Sequence, residues 1–172
     1  MTKLWNNDRF IADRFVAVDD ASPLPHGAPV IVSLKRWRAA RADVLALGVS
    51  IGVLLEPTSV LSAETDALDT LALIVIPFAK FSDGRGYSQA RRLRDQFDFH
   101  GEIRATGEVL LDQIALMQRC GIDGFAVSHA PTLRDLEAGR LSVVPEVYQN
   151  AVYGRARTTR GFVSRPLRAA AE

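Results

Sequence analysis

The feature that most constrains this fold is an unbroken apolar run of eight residues, Leu71–Phe78, in the middle of a 172-residue chain. A polar turn that contains two glycines follows the run, and a helical pattern of apolar residues then begins at Tyr87. A short apolar run bounded by turn residues is typical of a strand that is buried on both faces. The order strand, turn, helix therefore predicts a βα unit of a mainly parallel sheet, in which ligands bind at the carboxyl ends of the strands.

The same alternation recurs along most of the chain. Strand patterns are present at Pro29–Leu34, Val49–Leu55, Thr70–Phe78, Glu102–Thr106 and Gly124–Ser128, and a helical pattern follows each of them. We therefore predict an α/β fold with about five βα units on a mainly parallel sheet. Two arrangements are open at this point, an open doubly wound sheet and a partial βα barrel. Both place functional groups on the loops that follow the strands.

The two ends of the chain differ from this βα region. Residues 1–28 predict a small β-hairpin and a loop packed on the main domain, because Asn6, Asn7 and Asp8 tolerate turn conformations between two short strands. The βα domain then covers residues 29–150. Residues 151–172 contain five arginines, a single acid and few apolar residues, a composition that predicts a flexible basic tail.

Composition restricts the classes of function. The net charge of +1 argues against bulk electrostatic binding of nucleic acid. A single cysteine, Cys120, provides no internal disulfide and no set of thiolate ligands, and the three histidines are not at metal-ligand spacing. We therefore expect no metal and no recognisable cofactor. The absence of a secretory signal and of a long apolar segment predicts a cytoplasmic protein without a membrane partner.

The polar turn after the apolar run is the first candidate site. Its candidate anion-binding residues are Lys80, Asp83, Gly84, Arg85, Gly86 and Tyr87. Glycines adopt unusual backbone angles and let N–H groups approach a ligand, while the start of a helix attracts negative charge. Lys80 and Arg85 would add cationic contacts, and Asp83 would orient an arginine or accept a proton. An ordinary helix start with a salt bridge between Asp83 and Arg85 is the alternative.

The strand Glu102–Thr106 is the second candidate, because charged residues alternate with apolar ones in it. Either this strand lies at the edge of the sheet, which is the more common arrangement, or Arg104 points into a polar site. Asp112 and Gln113, near the start of the next helix, could reach the same end of the sheet or be exposed at the surface. His129 follows the fifth strand and is, with Asp83, a candidate proton carrier.

Three segments together resemble an uncharacterised bacterial domain family: KFSDGRGYS at Lys80–Ser88, GEVLLDQ at Gly107–Gln113 and RCGIDGF at Arg119–Phe125. The similarity extends from about Trp5 to about Tyr148. Members of that family are named as oxidoreductases involved in sulfite reduction, largely because their genes lie beside assimilatory sulfite reductase genes. The resemblance implies a link to sulfur assimilation and to a small oxyanion such as sulfite.

Three functional hypotheses follow from the residues and the resemblance. The first, which we favour, is an accessory protein of assimilatory sulfate and sulfite reduction that binds a small oxyanion or the reductase system through Lys80, Arg85 and Arg104. The second is an enzyme, oxidoreductase or other, on a barrel-like scaffold, with Asp83 or His129 as proton carrier and Lys80 as electrophile. The third is a non-catalytic protein-interaction module whose polar turn only caps a helix.

Overall fold

The computed structural model describes residues 2–6, 8–56, 58–62, 66–80 and 84–141. These residues form eight strands: β1 Lys3–Asn6, β2 Arg9–Ile11, β3 Val16–Ala17, β4 Val30–Ser33, β5 Ile51–Leu54, β6 Leu73–Phe78, β7 Glu102–Gly107 and β8 Gly124–Val127. They also form five α-helices: α1 Leu34–Ala39, α2 Arg41–Leu45, α3 Arg85–Asp95, α4 Leu111–Arg119 and α5 Ala130–Glu137. Asp83 and the segment 151–172 lie outside the described residues.

All eight strands belong to one sheet, in the order β2-β1-β8-β7-β6-β5-β4-β3. Strands β3 to β8 are parallel to one another, whereas β1 is antiparallel to both of its neighbours, β2 and β8. The predicted mainly parallel α/β fold is therefore confirmed. The predicted strand number was too low, because the N-terminal hairpin and β3 extend the same sheet and the hairpin adds antiparallel pairs.

The strand order favours a barrel over a doubly wound sheet. Strands β4 to β8 follow one another in space in their chain order, without a reversal. Because crossovers between parallel strands are right-handed, a constant direction of travel places all connecting helices on the same face of the sheet. A doubly wound sheet needs a reversal to cover its second face.

The connection between β2 and β3 shows how strongly the sheet curls. These strands lie at opposite edges, yet only the four residues 12–15 join them. Eight flat strands would place the edges roughly 34 Å apart, since neighbouring strands are roughly 4.8 Å apart. The connector from Ile11 to Val16 spans at most roughly 18 Å. The sheet therefore curls into a half-barrel, and the connector crosses its open side.

The two faces of the half-barrel have different contents. The convex face carries the main core, in which sheet residues such as Val53, Ile76 and Phe125 share one cluster with Trp37 of α1 and Met117 of α4. The concave face carries the alternate residues of each strand. It combines buried apolar side chains with small residues and with a charged pair on β7, Glu102 and Arg104.

Candidate functional site

The turn between β6 and α3 brings a helix start to the carboxyl end of the sheet. Gly86, in the first turn of α3, is buried against β6, and a Cβ at this position would lie 2.7 Å from two ring atoms of Phe78. Gly84 has a φ of −72°, and neither glycine has a positive φ. The expectation that these glycines provide unusual backbone angles was therefore wrong. Gly86 instead permits close packing of helix on strand.

A surface groove of about 540 Å³ lies between the start of α3 and the loop that follows β5. Its lining residues are Thr58, Ser59, Gly84, Arg85, Ser88, Gln89 and Arg92. This described lining provides two guanidinium groups and three hydroxyl groups, and it contains no carboxylate. Such a set of donors is suited to a small anion, and the adjacent helix N-terminus adds a partial positive charge.

Hydrogen bonds hold the two walls of the groove together. The side-chain amide of Gln89 on α3 donates to the carbonyl oxygens of Glu56, at 3.1 Å, and of Ser59, at 3.5 Å. On the far side of the loop, Arg38 Nη2 donates to the Val60 carbonyl at 2.8 Å, and Arg38 also pairs with the buried carboxylate of Asp66. The loop that carries Thr58 and Ser59 is thus fixed both to α3 and to α1.

Arg92 is oriented by its own helix. Its Nε donates to Gln96 Oε1 at 2.9 Å, and its guanidinium lies 5.0 Å from the ring centroid of Phe97. No described carboxylate forms an ion pair with Arg92, whereas the neighbouring Arg91 faces Asp95 at 3.7 Å. The guanidinium of Arg92 is therefore positioned without being neutralised by the described residues.

The remaining candidates of this region lie outside the groove lining. Lys80 is exposed at the end of β6. Tyr87 is half-buried and packs edge-on against Phe78, with 5.2 Å between the ring centroids. Burial raises the pKa of Tyr87, and the charges of Cys120 and Asp112 raise it further. Asp112 and Gln113 lie in the first turn of α4.

Arg104 lies on the concave face, opposite the helices and apart from the groove. Strand β7 is interior, between β6 and β8, so the edge interpretation of this strand was wrong. The Arg104 side chain is 3% exposed, and its Nε donates to Glu102 Oε1 at 2.9 Å. Its Nη1 donates to both carboxylate oxygens of Asp13, at 3.0 and 2.9 Å. Arg104 and Arg85 do not share one site.

His129 has a local role in the structure. It is the N-cap residue of α5, where its Nδ1 accepts a hydrogen bond from the Thr132 backbone N–H at 3.4 Å and lies 2.9 Å from Thr132 Oγ1. This contact satisfies one of the donors that a helix start leaves unpaired. Within the described ranges, no group of three or more histidine, cysteine or acidic residues could hold a metal ion.

Residues 52–158 match a family that is described as a bacterial protein of unknown function (DUF934). The match covers more than half of the chain. The protein belongs to the DUF934 family. No curated protein matches the chain. Among the described residues, no helix has the length and apolar character needed to cross a membrane.

The DUF934 match contains the described groove lining, including five residues that the sequence did not single out as site candidates: Thr58, Ser59, Ser88, Gln89 and Arg92. A signal for Arg92 was present, since it lies seven residues after Arg85 and therefore on the same face of a helix. Thr58 and Ser59 come from the loop that follows β5. Only the adjacency of β5 and β6 in the sheet brings them to α3.

Proposed function

We propose that this DUF934 protein is an accessory component of assimilatory sulfite reduction, which binds a small oxyanion such as sulfite in the groove at the start of α3. One observation carries the proposal: the described lining combines the guanidinium groups of Arg85 and Arg92 with three hydroxyl groups and has no carboxylate. The link to sulfur metabolism rests on the resemblance of the motif at Lys80–Ser88 and of its neighbours.

The chemistry of the groove supports binding of an oxyanion. A guanidinium presents its N–H groups as a planar fork that matches two oxygens of an anion, and Arg92 is already oriented by Gln96 and Phe97. Hydroxyl groups donate to the remaining oxygens. The partial positive charge at the α3 N-terminus acts on the same side of the groove. In this proposal the reductase system carries out the electron transfer, and this chain presents or senses the anion.

The alternatives have less support. The enzyme hypothesis assigned proton transfer to Asp83 or His129, but His129 caps α5 through its contacts with Thr132. The interaction module differs from our proposal in one measurable respect, because it requires no small anion in the groove. A binding measurement therefore separates the two.

Calorimetric titration of sulfite and sulfate into the purified protein tests the proposal. We expect saturable binding by the wild type and about tenfold weaker binding by Arg92→Gln, because a hydrogen bond to a charged group contributes about 1.5 kcal/mol or more. Arg9→Gln, which changes an exposed arginine on β2, is the matched control and should bind as the wild type does. Identical heats for all three proteins would refute anion binding in the groove.

Growth of a strain that lacks the gene tests the metabolic assignment. We expect the deletion to impair growth on sulfate but not on sulfide, and the wild-type gene to restore growth better than the Arg92→Gln variant does. Normal growth of the deletion strain on both sulfur sources would remove the link to sulfite reduction while leaving the binding result intact.

A further inference from the structure

The concave interior of the half-barrel contains a charged cluster that the proposed function does not use. Arg104, at the centre of β7, is held by Glu102 of its own strand and by Asp13 of the connector that crosses the open side. The ring of Phe15, from the same connector, lies 5.5 Å from the guanidinium carbon of Arg104. One arginine thus faces two carboxylates beneath an aromatic ring.

We propose that Arg104 is the centre of a second anion site, specific for a small-molecule monocarboxylate, and that the side chain of Asp13 is the intramolecular occupant of that site. A ligand carboxylate would replace the Asp13 carboxylate on Nη1 of Arg104 and displace the connector 12–15 from the open side of the half-barrel.

The two carboxylates of the cluster are held in different ways. Glu102 is fixed by the sheet, and Gly124 on the adjacent strand makes room for it, since a Cβ at Gly124 would lie 2.5 Å from Glu102 Oε1. Asp13 is held by a connector of four residues that carries no regular structure. The side chain of Asp13 is 43% exposed, whereas that of Arg104 is 3% exposed. The guanidinium of Arg104 is therefore buried, whereas the carboxylate of Asp13 can be reached from solvent.

The local conformation of the connector places Asp13 as a ligand would be placed. Its Oδ1 accepts a hydrogen bond from the Phe15 backbone N–H at 3.1 Å, which folds the chain so that carboxylate and ring both contact the same guanidinium. Both carboxylate oxygens lie within hydrogen-bonding distance of Arg104 Nη1. A free carboxylate would make the same contacts without the covalent tether.

Charge defines the class of ligand. Among the described residues, Nε of Arg104 donates to Glu102 and Nη1 donates to Asp13, so the departure of Asp13 would leave the buried Nη1 without an acceptor, which a ligand carboxylate would supply. A monocarboxylate leaves the net charge of the cluster unchanged, since Glu102 stays in place. A dianion would add a negative charge beside Glu102 in a largely buried space, which is unfavourable. This preference distinguishes the site from the groove at α3, whose described lining has no carboxylate.

Acetate binding to an Asp13→Asn variant tests the proposal. Asparagine keeps a side-chain oxygen that can accept from Phe15 N–H, but it lacks the charge that competes with the ligand. We expect acetate to bind Asp13→Asn at least about tenfold more tightly than the wild type, because a tethered occupant reduces the competent fraction. Sodium chloride at equal ionic strength should not reproduce the effect. Equal acetate affinities, or no binding to the variant, would overturn the proposal.

Two further variants assign the binding to this site. Adding Arg104→Met to Asp13→Asn should abolish acetate binding, whereas adding Arg91→Gln, which changes an exposed arginine on α3, should leave it unchanged. Sulfite binding in the groove is tested with Arg92→Gln and acetate binding here with Arg104→Met, so either proposal can fail alone. If acetate bound equally well with Arg104→Met, the site would lie elsewhere and the proposal would be wrong.

A measurement on the wild type covers the case in which Asp13→Asn does not fold. The nitrogen resonance of the Arg104 Nε–H group is assigned by its absence from the spectrum of Arg104→Lys. We expect a saturable shift of this resonance during titration with acetate, but not with chloride. An unchanged resonance up to the highest acetate concentration at which the protein stays soluble would contradict the proposal.

Discussion

Gly86 packs against the ring of Phe78, so closely that a Cβ at Gly86 would be 2.7 Å from two of the ring atoms. This contact joins the first turn of α3 to the last residue of β6. It thereby sets how near the helix start comes to the carboxyl end of the sheet. Because Arg85 and Ser88 flank this contact and line the groove, the packing of one glycine on one ring positions the candidate site.

Gly86→Ala should therefore destabilise the protein. The added methyl group would have to displace the Phe78 ring or the helix, and overpacking of this kind costs about 1–3 kcal/mol. Urea denaturation measures the loss. Gly84→Ala is the matched control, since no described residue lies within 4 Å of a Cβ at Gly84, and its free energy of unfolding should fall by less than about 1 kcal/mol. Equal losses in the two variants would show that the Phe78 contact does not restrict position 86.

Asp66 should make stability depend on pH below neutrality. Burial raises the pKa of this carboxyl, but hydrogen bonds from Arg38 and the Ser62 N–H, with the charges of Arg38 and Arg41, outweigh burial and hold the pKa below its ordinary value of 3.8. The unfolded state therefore binds the proton more readily than the folded state. The contribution of Asp66 to stability is complete above about pH 5 and is lost as the pH falls through the folded pKa.

Denaturation of Asp66→Asn at several pH values checks this dependence. The variant should be about 2–4 kcal/mol less stable than the wild type at pH 7, because it leaves Arg38 without its buried charged partner. The difference should shrink as the pH falls below about 4. The exposed neighbour Asp69→Asn should follow the wild-type profile. A constant gap between Asp66→Asn and the wild type down to acid pH would contradict the lowered pKa.

Cys120 should react slowly with alkylating reagents at neutral pH. Burial raises the pKa of this thiol above its ordinary value of 9.0; Arg91 and Arg119 oppose the shift, and Asp95 adds to it. Since only the thiolate reacts, we expect the rate with iodoacetamide to keep rising beyond pH 9. Arg119→Gln should slow the reaction at pH 8 because it removes a charge that favours the thiolate. A rate that is already constant at pH 8 would refute the raised pKa.

The strand–turn–helix unit around Leu71–Phe78 was predictable because its signals are local. An apolar run, a polar turn and a helical period all lie within about thirty residues of sequence. The structural role of Gly86, which is close packing against Phe78, was not predictable in the same way. A glycine beside a helix start can serve a special backbone angle or a close approach, and only the position of Phe78 distinguishes the two.

The place of Arg104 depended on information that no single strand contains. A strand with one polar face suits the edge of an open sheet and equally the interior of a curled one. What decides between them is strand order, which puts β7 in the middle, and the short connector 12–15, which forces the sheet to curl. The groove has the same origin, since its Thr58 and Ser59 wall belongs to a different βα unit from its Arg85 and Arg92 wall.

Arg94 offers a test of how the other end of α3 is fixed. Its guanidinium donates to the carbonyl oxygens of Phe99, Gly101 and Gly121 and pairs with Asp123, so it ties the helix to the turns that precede β7 and β8. Its side chain is largely buried. Lysine has the same charge but a single nitrogen, and it cannot reach carbonyls that lie in different directions.

Arg94→Lys should therefore lower the free energy of unfolding by about 2 kcal/mol or more, because at least one largely buried carbonyl would lose its donor. Arg91→Lys is the matched control on the same helix, since Arg91 is exposed and its ion pair within the described part of the chain is the i, i+4 contact with Asp95; its effect should stay within about 0.5 kcal/mol. Both variants replace arginine by lysine and keep the positive charge. The difference between their losses of unfolding free energy therefore measures what the geometry of the Arg94 guanidinium contributes. If both variants unfolded at the same urea concentration, the turns before β7 and β8 would not depend on Arg94, and the packing of α3 would rest on its apolar face alone.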